Sequence, residues 1–368
     1  MFMKILLIDN TSLTPANGSL CCEPKTGGFA SELQSLGNHV TMYGQIVEDT
    51  NNIHAFDIVD NGISVIGYLR KKNKLFNYLF LYFMVIPQIL RSDFVYIFYP
   101  SAFKYVAFLC WFFRKPYGLY VRGQNDLKST SSKLLLREAD LVFTVADFFS
   151  KYIKGINKNN NVYTVKPMIN LNETDIIYNK NIQKNKYFKI LFLARIEKDK
   201  GIEEFLYSIS EIKGNFLFNV DIVGEGAWLN KAIDLCKTLE IEDLVTFKGA
   251  IFDKDEIKKI YMNAHLYILP TYHEGFPRTL YEAMIFGTPI LTTFVGGISG
   301  LMVDKFNCLE IKPQSISSIV EGINYAFNNY PEMRKYAKNA IGTVKPIVAS
   351  SRDSHAQHLN SLINNFDM

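Results

Sequence analysis

Short, mostly apolar runs recur along the chain, and most are followed by a turn of glycine or small polar residues and then by a helical pattern. Lys4–Ile8, Val40–Tyr43, Phe94–Phe98, Tyr117–Val121 and Leu141–Thr144 are such runs in the first half. Phe188–Leu193, Val220–Val223, Val245–Lys248, Leu266–Pro270 and Ile290–Thr293 are their counterparts in the second. A strand without polar alternation is buried on both faces, the condition of a parallel strand covered by helices. Helical spacing fills the gaps, as in Phe29, Leu33 and Leu36 before Gly37-Asn38, or Ile316, Ile319, Val320, Ile323 and Ala326. The alternation predicts an α/β chain with parallel sheets. A length of 368 residues suits two domains. The polar, Asn- and Lys-rich stretch that begins at Asn170 separates them, which gives a first domain over 1–170, a linker over 171–187 and a second domain over 188–349.

Charge and cysteine content exclude several classes. The formal net charge is +4, mild and without the basic stripe of a nucleic-acid binder. The five cysteines (Cys21, Cys22, Cys110, Cys236, Cys308) form neither a disulfide framework nor a zinc spacing, which points to a reducing cytosol. No pair of the six histidines has metal-ligand spacing. Met1–Ile8 holds too short an apolar run for a signal peptide and reads as a first strand.

The stretch His273 to Glu282 carries the chemistry. It follows the strand Leu266–Pro270 and precedes an apolar helix, Leu280 to Phe286, stopped by Gly287 and Pro289. A helix start beside a glycine-bearing loop offers unpaired N–H groups and the positive end of a dipole, where an anionic phosphate is held. Glu274 in the loop and Glu282 in the helix do not suit phosphate; they suit the hydroxyls of a polyol. Phosphate and polyol together describe a nucleotide sugar. Arg195 and Lys200 share one strand-to-helix loop, and two cations so placed suit a diphosphate, with Lys198 a solvated neighbour. Gly224-Glu225-Gly226 lacks the third glycine and the acidic ribose binder of a dinucleotide motif.

Glu274-Gly275-Phe276-Pro277, with Leu280, Glu282-Ala283-Met284, Gly287 and Pro289-Ile290 at fixed offsets, resembles the signature of the family 4 retaining glycosyltransferases. The resemblance covers most of the chain and is strong from Phe188 to Pro313. It implies the GT-B fold: two Rossmann-like domains with parallel sheets facing across a cleft. The second would bind the donor and the first the acceptor, with a terminal helix of about 350–368 packing back on the first. It further implies that Glu274 is catalytic and contacts the hydroxyls of the transferred sugar, while Glu282 holds the ribose. Arg195 and Lys200 would bind the diphosphate. Gly275, Phe276, Pro277 and Thr279 would complete the donor site, although Pro277 has no N–H to give. The loop Gly249–Phe252 would lie near the base, and Gly296-Gly297 would allow a close backbone approach, although Ser299-Gly300 replaces the family's usual Pro-Glu. A Gly-Gly at Gly27-Gly28 would open the first helix toward the diphosphate; read alone, the same pair is a plain turn. No metal or other cofactor is implied.

Two features of the first domain stay open at this level. Arg122-Gly123 replaces the family's His-Gly; Arg122 either binds a phosphate or acidic sugar on the acceptor side or pairs with Asp126. Arg70, Lys71, Lys72 and Lys74 precede an aromatic run, Leu75–Ile86, too short to span a bilayer. The segment 70–90 is either a core helix or a helix lying on an anionic membrane surface. A second aromatic segment, Phe103–Phe113, ends in Arg114-Lys115. The resulting expectation is a cytoplasmic retaining hexosyltransferase, peripheral on the inner membrane face. It would use a UDP-linked sugar and a lipid-linked oligosaccharide acceptor in O-antigen or capsule synthesis. A sugar-nucleotide epimerase or hydrolase, or a non-catalytic sugar-nucleotide-binding subunit, are the rival readings.

Overall fold

The structure, a computed structural model, describes residues 2–9, 12–16, 18–47, 56–99, 103–123, 127–165, 167–169, 171–180 and 187–364. The chain forms two compact units. The first is Met1–Met168 together with Asp353–Met368, and the second is Ile169–Arg352.

The first unit holds a seven-stranded parallel sheet. Its strands are β1 (Lys4–Ile8), β2 (His39–Ile46), β3 (Ser64–Leu69), β4 (Phe94–Tyr99), β5 (Tyr117–Val121), β6 (Leu141–Thr144) and β7 (Val162–Thr164), in the spatial order β7-β6-β5-β4-β1-β2-β3. Every residue of β4 is buried, because helices cover both faces. On one face Leu6, Ile8, Val95 and Ile97 pack with Leu81, Val85 and Ile89 of α2 (Lys74–Arg91), beside α3 (Val106–Phe112). On the other, Ile5, Leu7, Phe94 and Phe98 pack with Phe29 and Leu33 of α1 (Pro24–Ser35). Each such fully buried side chain contributes roughly 1.5–3 kcal/mol. Thr14–Ala16, Ser19–Cys22 and Phe56–Asp57 form a small antiparallel sheet.

The second unit has six parallel strands. They are β8 (Phe188–Leu193), β9 (Phe218–Val223), β10 (Val245–Phe247), β11 (Leu266–Leu269), β12 (Ile290–Thr293) and β13 (Leu309–Ile311), in the order β10-β9-β8-β11-β12-β13. Helix α4 (Ile202–Glu211) follows β8, and α5 (Arg278–Ile285) follows β11. In both sheets strand addition reverses beside the unit's first strand, between β1 and β4 and between β8 and β11. The loops at the carboxyl ends of those strands diverge there and leave a crevice for a ligand.

The last helix, α6 (His355–Ile363), belongs to the first unit. Ser354 caps it and donates to Glu32 of α1 at 2.6 Å, and Asn38 donates to Asn360 at 2.8 Å. The His355 Nε2 lies 2.6 Å from the Tyr96 hydroxyl, and its ring sits among Phe29, Tyr120 and Phe143. The stretch read as a linker over 171–187 is, where described, packed on the second unit. Leu171 and Ile176 are in its core, and Lys180 is 3% exposed. The Lys180 ammonium donates to Tyr261 O, Ala264 O and Thr288 Oγ1 at 2.6–2.8 Å. A polar residue buried with all its donors used is indistinguishable, by composition, from a solvated one. Residues 181–186 lie outside the described residues.

Candidate active site

The site of the second unit is built on the loops that follow β8 and β11. After β8 the chain turns through Arg195 and a single 3-10 turn, Lys198–Lys200, that ends on Gly201 at φ 72°. A Cβ on Gly201 would stand 2.2 Å from the Pro270 carbonyl oxygen, so only glycine lets this loop lie on the end of β11. The turn after β9 clamps the same loop from the other side. Cβ atoms on Gly224 and Gly226 would lie 1.9 Å from Ala194 O and 2.3 Å from Ile196 O, and Ile196 N donates to Glu225 O at 2.8 Å. Arg195 itself is exposed, and its guanidinium has no hydrogen-bond or ion-pair partner among the described residues.

Lys200 is the opposite case. It is 6% exposed, and its Nζ lies 2.5 Å from Glu274 Oε1, 3.4 Å from His273 O and 3.6 Å from Asp199 Oδ2. Backbone contacts hold Glu274 in place. Tyr272 N donates to Asp199 O at 2.8 Å, and Thr293 Oγ1 donates to Thr271 O at 2.6 Å. Gly296, at φ 61°, sits so close that a Cβ there would lie 1.7 Å from Glu274 O. The close approach expected of Gly296-Gly297 is therefore an approach to the Glu274 backbone.

Helix α5 starts at Arg278 after Pro277, with no side-chain cap and no acidic residue in its first turn. Its amino end keeps its positive dipole. Gly275 is half-buried, and the buried Phe276 packs on Tyr281 at 4.5 Å between ring centroids. Two buried tyrosines position the helix. The Tyr267 hydroxyl is 2.7 Å from Thr279 Oγ1 and 3.2 Å from Leu193 O, which ties α5 to the end of β8. The Tyr261 hydroxyl is 2.9 Å from Thr279 O and 3.3 Å from Glu282 Oε2. Burial raises both phenols well above their ordinary pKa, so each stays a neutral hydrogen-bond donor. Lys200 with Glu274, and Thr279 with Glu282 through Tyr261, thus form two hydrogen-bonded groups on the frame of loops at the switch point, next to the Arg195 loop. Gly249 abuts the same frame, donating no side chain but accepting from Gly224 N at 2.8 Å, and Phe252 beyond it is exposed.

In the first unit the corresponding strand ends bring together Asp9, Thr26 and Arg122. Asp9, 4% exposed, lies 2.9 Å from Arg122 Nη2 through Oδ1 and accepts from Thr26 Oγ1 at 2.7 Å through Oδ2. Arg122 stacks over Phe98 at 5.0 Å and is partly exposed. Its ion-pair partner is Asp9; Asp126 lies outside the described residues. The structure corrects the reading of Gly27-Gly28. They do not open α1 but lie inside it, behind Glu23, whose carboxylate accepts from Thr26 N at 3.2 Å and whose carbonyl accepts from Gly27 N at 3.0 Å. An incoming diphosphate would meet that carboxylate as a like charge. Gly27 is glycine for packing: a Cβ there would lie 2.2 Å from the Phe56 ring.

Residues 173–343 match the family model of the glycosyl transferases group 1. The match lies within the second unit and spans most of it. Protein CapJ of Staphylococcus aureus is 25% identical over 343 residues, 88% of this chain and 85% of that protein. The putative teichuronic acid biosynthesis glycosyltransferase TuaC of Bacillus subtilis is 25% identical over 172 residues, 46% of this chain and 40% of TuaC. The matches to TuaC and six other curated relatives span only 37–60% of those proteins' lengths. The solved structure of Anabaena HepE in complex with UDP and glucose covers 98% of both chains at a TM-score of 0.68 and 15% identity. The architecture, two α/β units each with a parallel sheet, is the GT-B fold.

Several residues that shape the second unit's site carry no sequence signal of their own. Tyr261 and Tyr267 read as ordinary core aromatics, and Thr271 and Thr293 as strand-end polar residues. Asp9 could have been singled out as the carboxylate that ends the first strand, but its partner Arg122 is 113 residues away.

Proposed function

We propose that the chain is a retaining hexosyltransferase. It moves a sugar from a nucleoside-diphosphate donor, UDP-linked, to a hydroxyl of a lipid-linked saccharide at the cytoplasmic membrane face, in synthesis of a surface polysaccharide such as O-antigen or capsule. The observation that carries the reading is the pairing of a largely buried Lys200–Glu274 couple with an exposed Arg195, without a partner among the described residues, at the switch point beside the uncapped start of α5. The UDP and glucose in the HepE structure and the teichuronic acid biosynthesis of the TuaC relative support the donor and pathway classes.

The reaction breaks the anomeric C–O bond to the diphosphate. Positive charge develops at the sugar and extra negative charge on the leaving oxygens, and contacts that strengthen with that charge lower the barrier. Arg195, Lys200 and the N–H groups opening α5 answer the negative charge without a metal ion. Lys200 holds one oxygen of Glu274, which orients the carboxylate to accept hydrogen bonds from the sugar's hydroxyls. Glu282, braced by Tyr261, takes the ribose hydroxyls. The acceptor hydroxyl attacks from the side the diphosphate leaves, and the departing phosphate oxygen takes its proton, so configuration is retained.

Thermal-shift titration with UDP-, GDP- and ADP-sugars tests the donor site, with Arg195→Ala as the control because the Arg195 guanidinium makes no hydrogen bond or ion pair among the described residues. The variant should weaken binding and transfer by about 10-fold or more, for a charged contact of roughly 1.5–3 kcal/mol. No response to any sugar nucleotide, or an identical response in the variant, refutes the reading. Product analysis with and without a saccharide acceptor separates transfer from epimerisation, hydrolysis or binding alone.

A further inference from the structure

The first unit exposes an apolar face that the fold leaves uncovered. Helix α2 is apolar on all sides: Leu81, Val85 and Ile89 are buried in the core, while Leu75, Leu79, Phe83 and Leu90 recur on the opposite side at one- or two-turn spacing and are 49–73% exposed. Its charged residues, Lys74 and Arg91, stand only at its two ends. At the end of α3, Trp111 and Phe112 are 58% and 72% exposed. Of the twenty-five large apolar side chains exposed among the described residues, ten lie between Leu75 and Phe112. Scattered exposure is ordinary, but a concentration like this marks a contact surface, and a helix apolar all round needs an apolar phase on both sides.

Charge selects the occupant. Residues 61–125 hold nine Lys and Arg but a single acidic residue, Asp93, a net of +8, whereas the whole chain is +4 and the remainder therefore −4. The Asp93 carboxylate already accepts from Lys4 N at 2.8 Å. Arg70, Lys71 and Lys72 are exposed just before α2, and Arg114 and Lys115 follow α3 beside an open depression of about 470 Å³ that Trp111 and Phe112 also line. The two carboxylates on that depression are engaged, Glu138 with Lys158 at 2.6 Å and Asp140 with Tyr117 N at 2.9 Å. Two copies meeting through this face would set like charges against each other. No helix among the described residues is long and apolar enough to cross a membrane.

We propose that α2 and the end of α3 form a docking surface for an anionic lipid bilayer, lying in its plane with Leu79, Phe83, Trp111 and Phe112 in the acyl boundary and the flanking cations at the phosphates. The surface rests on the first unit alone. It deepens the proposed transfer by naming where the lipid-linked acceptor is met, and vesicle binding needs no sugar nucleotide, so either reading can fail without the other.

The test is co-sedimentation of the full chain with vesicles of phosphatidylcholine alone or with about one-third phosphatidylglycerol, at low and high salt. The expected result is binding to the anionic vesicles that falls with salt. Leu79→Glu/Phe83→Glu, at exposed positions, should lower the partition coefficient by about 10-fold or more with an unchanged circular dichroism spectrum. Arg70→Ala/Lys71→Ala/Lys72→Ala should lower it on the order of 100-fold, about five-fold for each cation removed. No binding to anionic vesicles at low salt overturns the proposal, as does binding that ignores lipid charge. So does a stable dimer that Phe83→Glu dissolves while lipid is ignored.

Discussion

The Lys200–Glu274 couple makes a prediction that does not depend on the donor. Lys200 Nζ lies 2.5 Å from Glu274 Oε1, with the side chains 7% and 20% exposed. Breaking a buried ion pair from one side costs roughly 3–5 kcal/mol, because the remaining charge is stranded, and the partial exposure of Glu274 reduces that to about 2–4 kcal/mol for Lys200→Met. The methionine keeps most of the stem's packing, so the loss reports the charge. Glu274→Gln should cost less, about 1–2 kcal/mol, because Lys200 retains Asp199 Oδ2 at 3.6 Å and His273 O at 3.4 Å. The double variant should recover part of the sum, leaving a coupling of about 1–2 kcal/mol. Urea unfolding of the four proteins measures the cycle. At roughly 2–4 °C per kcal/mol for a unit of this size, Lys200→Met should also melt several degrees lower. Additive losses, or a Lys200→Met protein as stable as the parent, would refute the claim that the pair holds Glu274 in place. A lower melting point in Lys200 variants is also why Arg195→Ala is the cleaner control for donor binding.

Two further perturbations probe the frame and the last helix. Gly296→Ala puts a Cβ into Glu274 O and a side chain at φ 61°, so it should cost more than the ~1–2 kcal/mol of left-handed strain alone and, by moving the Glu274 loop by the order of 1 Å, lower transfer about 100-fold; Gly342→Ala, in open space on a helix, should leave transfer unchanged, and a normal rate in Gly296→Ala refutes the positioning role. Burial lowers the pKa of His355 from 6.5 to about 3, with the charge of His358 a smaller cause. The folded state thus favours the neutral ring, and stability present above pH 6.5 is lost as pH falls toward 3, by roughly 3 kcal/mol at pH 4.5 from this residue. Urea midpoints of the parent and His355→Phe across that range test it, and parallel pH profiles count against it.

The central strands were legible because a run of apolar residues buried on both faces has few alternative fates. The loops bearing Arg195, Lys200 and Glu274 stood out in the sequence through their resemblance to the family's motifs, since charged residues in a strand-end loop are by themselves as well explained by solvation. The small antiparallel sheet of Thr14–Ala16, Ser19–Cys22 and Phe56–Asp57 was not, since two to four residues carry no period. Pro87 follows the aromatic run Leu75–Ile86, yet α2 continues through it to Arg91. The proline is on the exposed side, where losing one N–H and bending the helix disturbs no core contact. Lys180 was misread as linker because composition cannot show that three acceptors converge on its ammonium. The fate of Arg122 depended on Asp9, a long-range pairing that no local pattern encodes.

The glycines of the second unit suggest a division of labour. Gly201, Gly224, Gly226 and Gly296 each face a backbone carbonyl: Pro270, Ala194, Ile196 and Glu274 in turn. They fix the loops that carry the charged side chains. Lys200 is already matched by Glu274 without a ligand, whereas Arg195 is matched by nothing among the described residues. An incoming diphosphate finds one cation whose charge is balanced and one whose charge is free. On the proposed reading Arg195, with the opening turn of α5, accounts for most of the electrostatic affinity for the donor, and Lys200 mainly orients Glu274 toward the sugar. Loss of Arg195 should therefore appear in donor affinity with little change in folding stability. Loss of Lys200 should appear in stability and turnover more than in affinity, and a pair of variants that showed the reverse would place the diphosphate on Lys200.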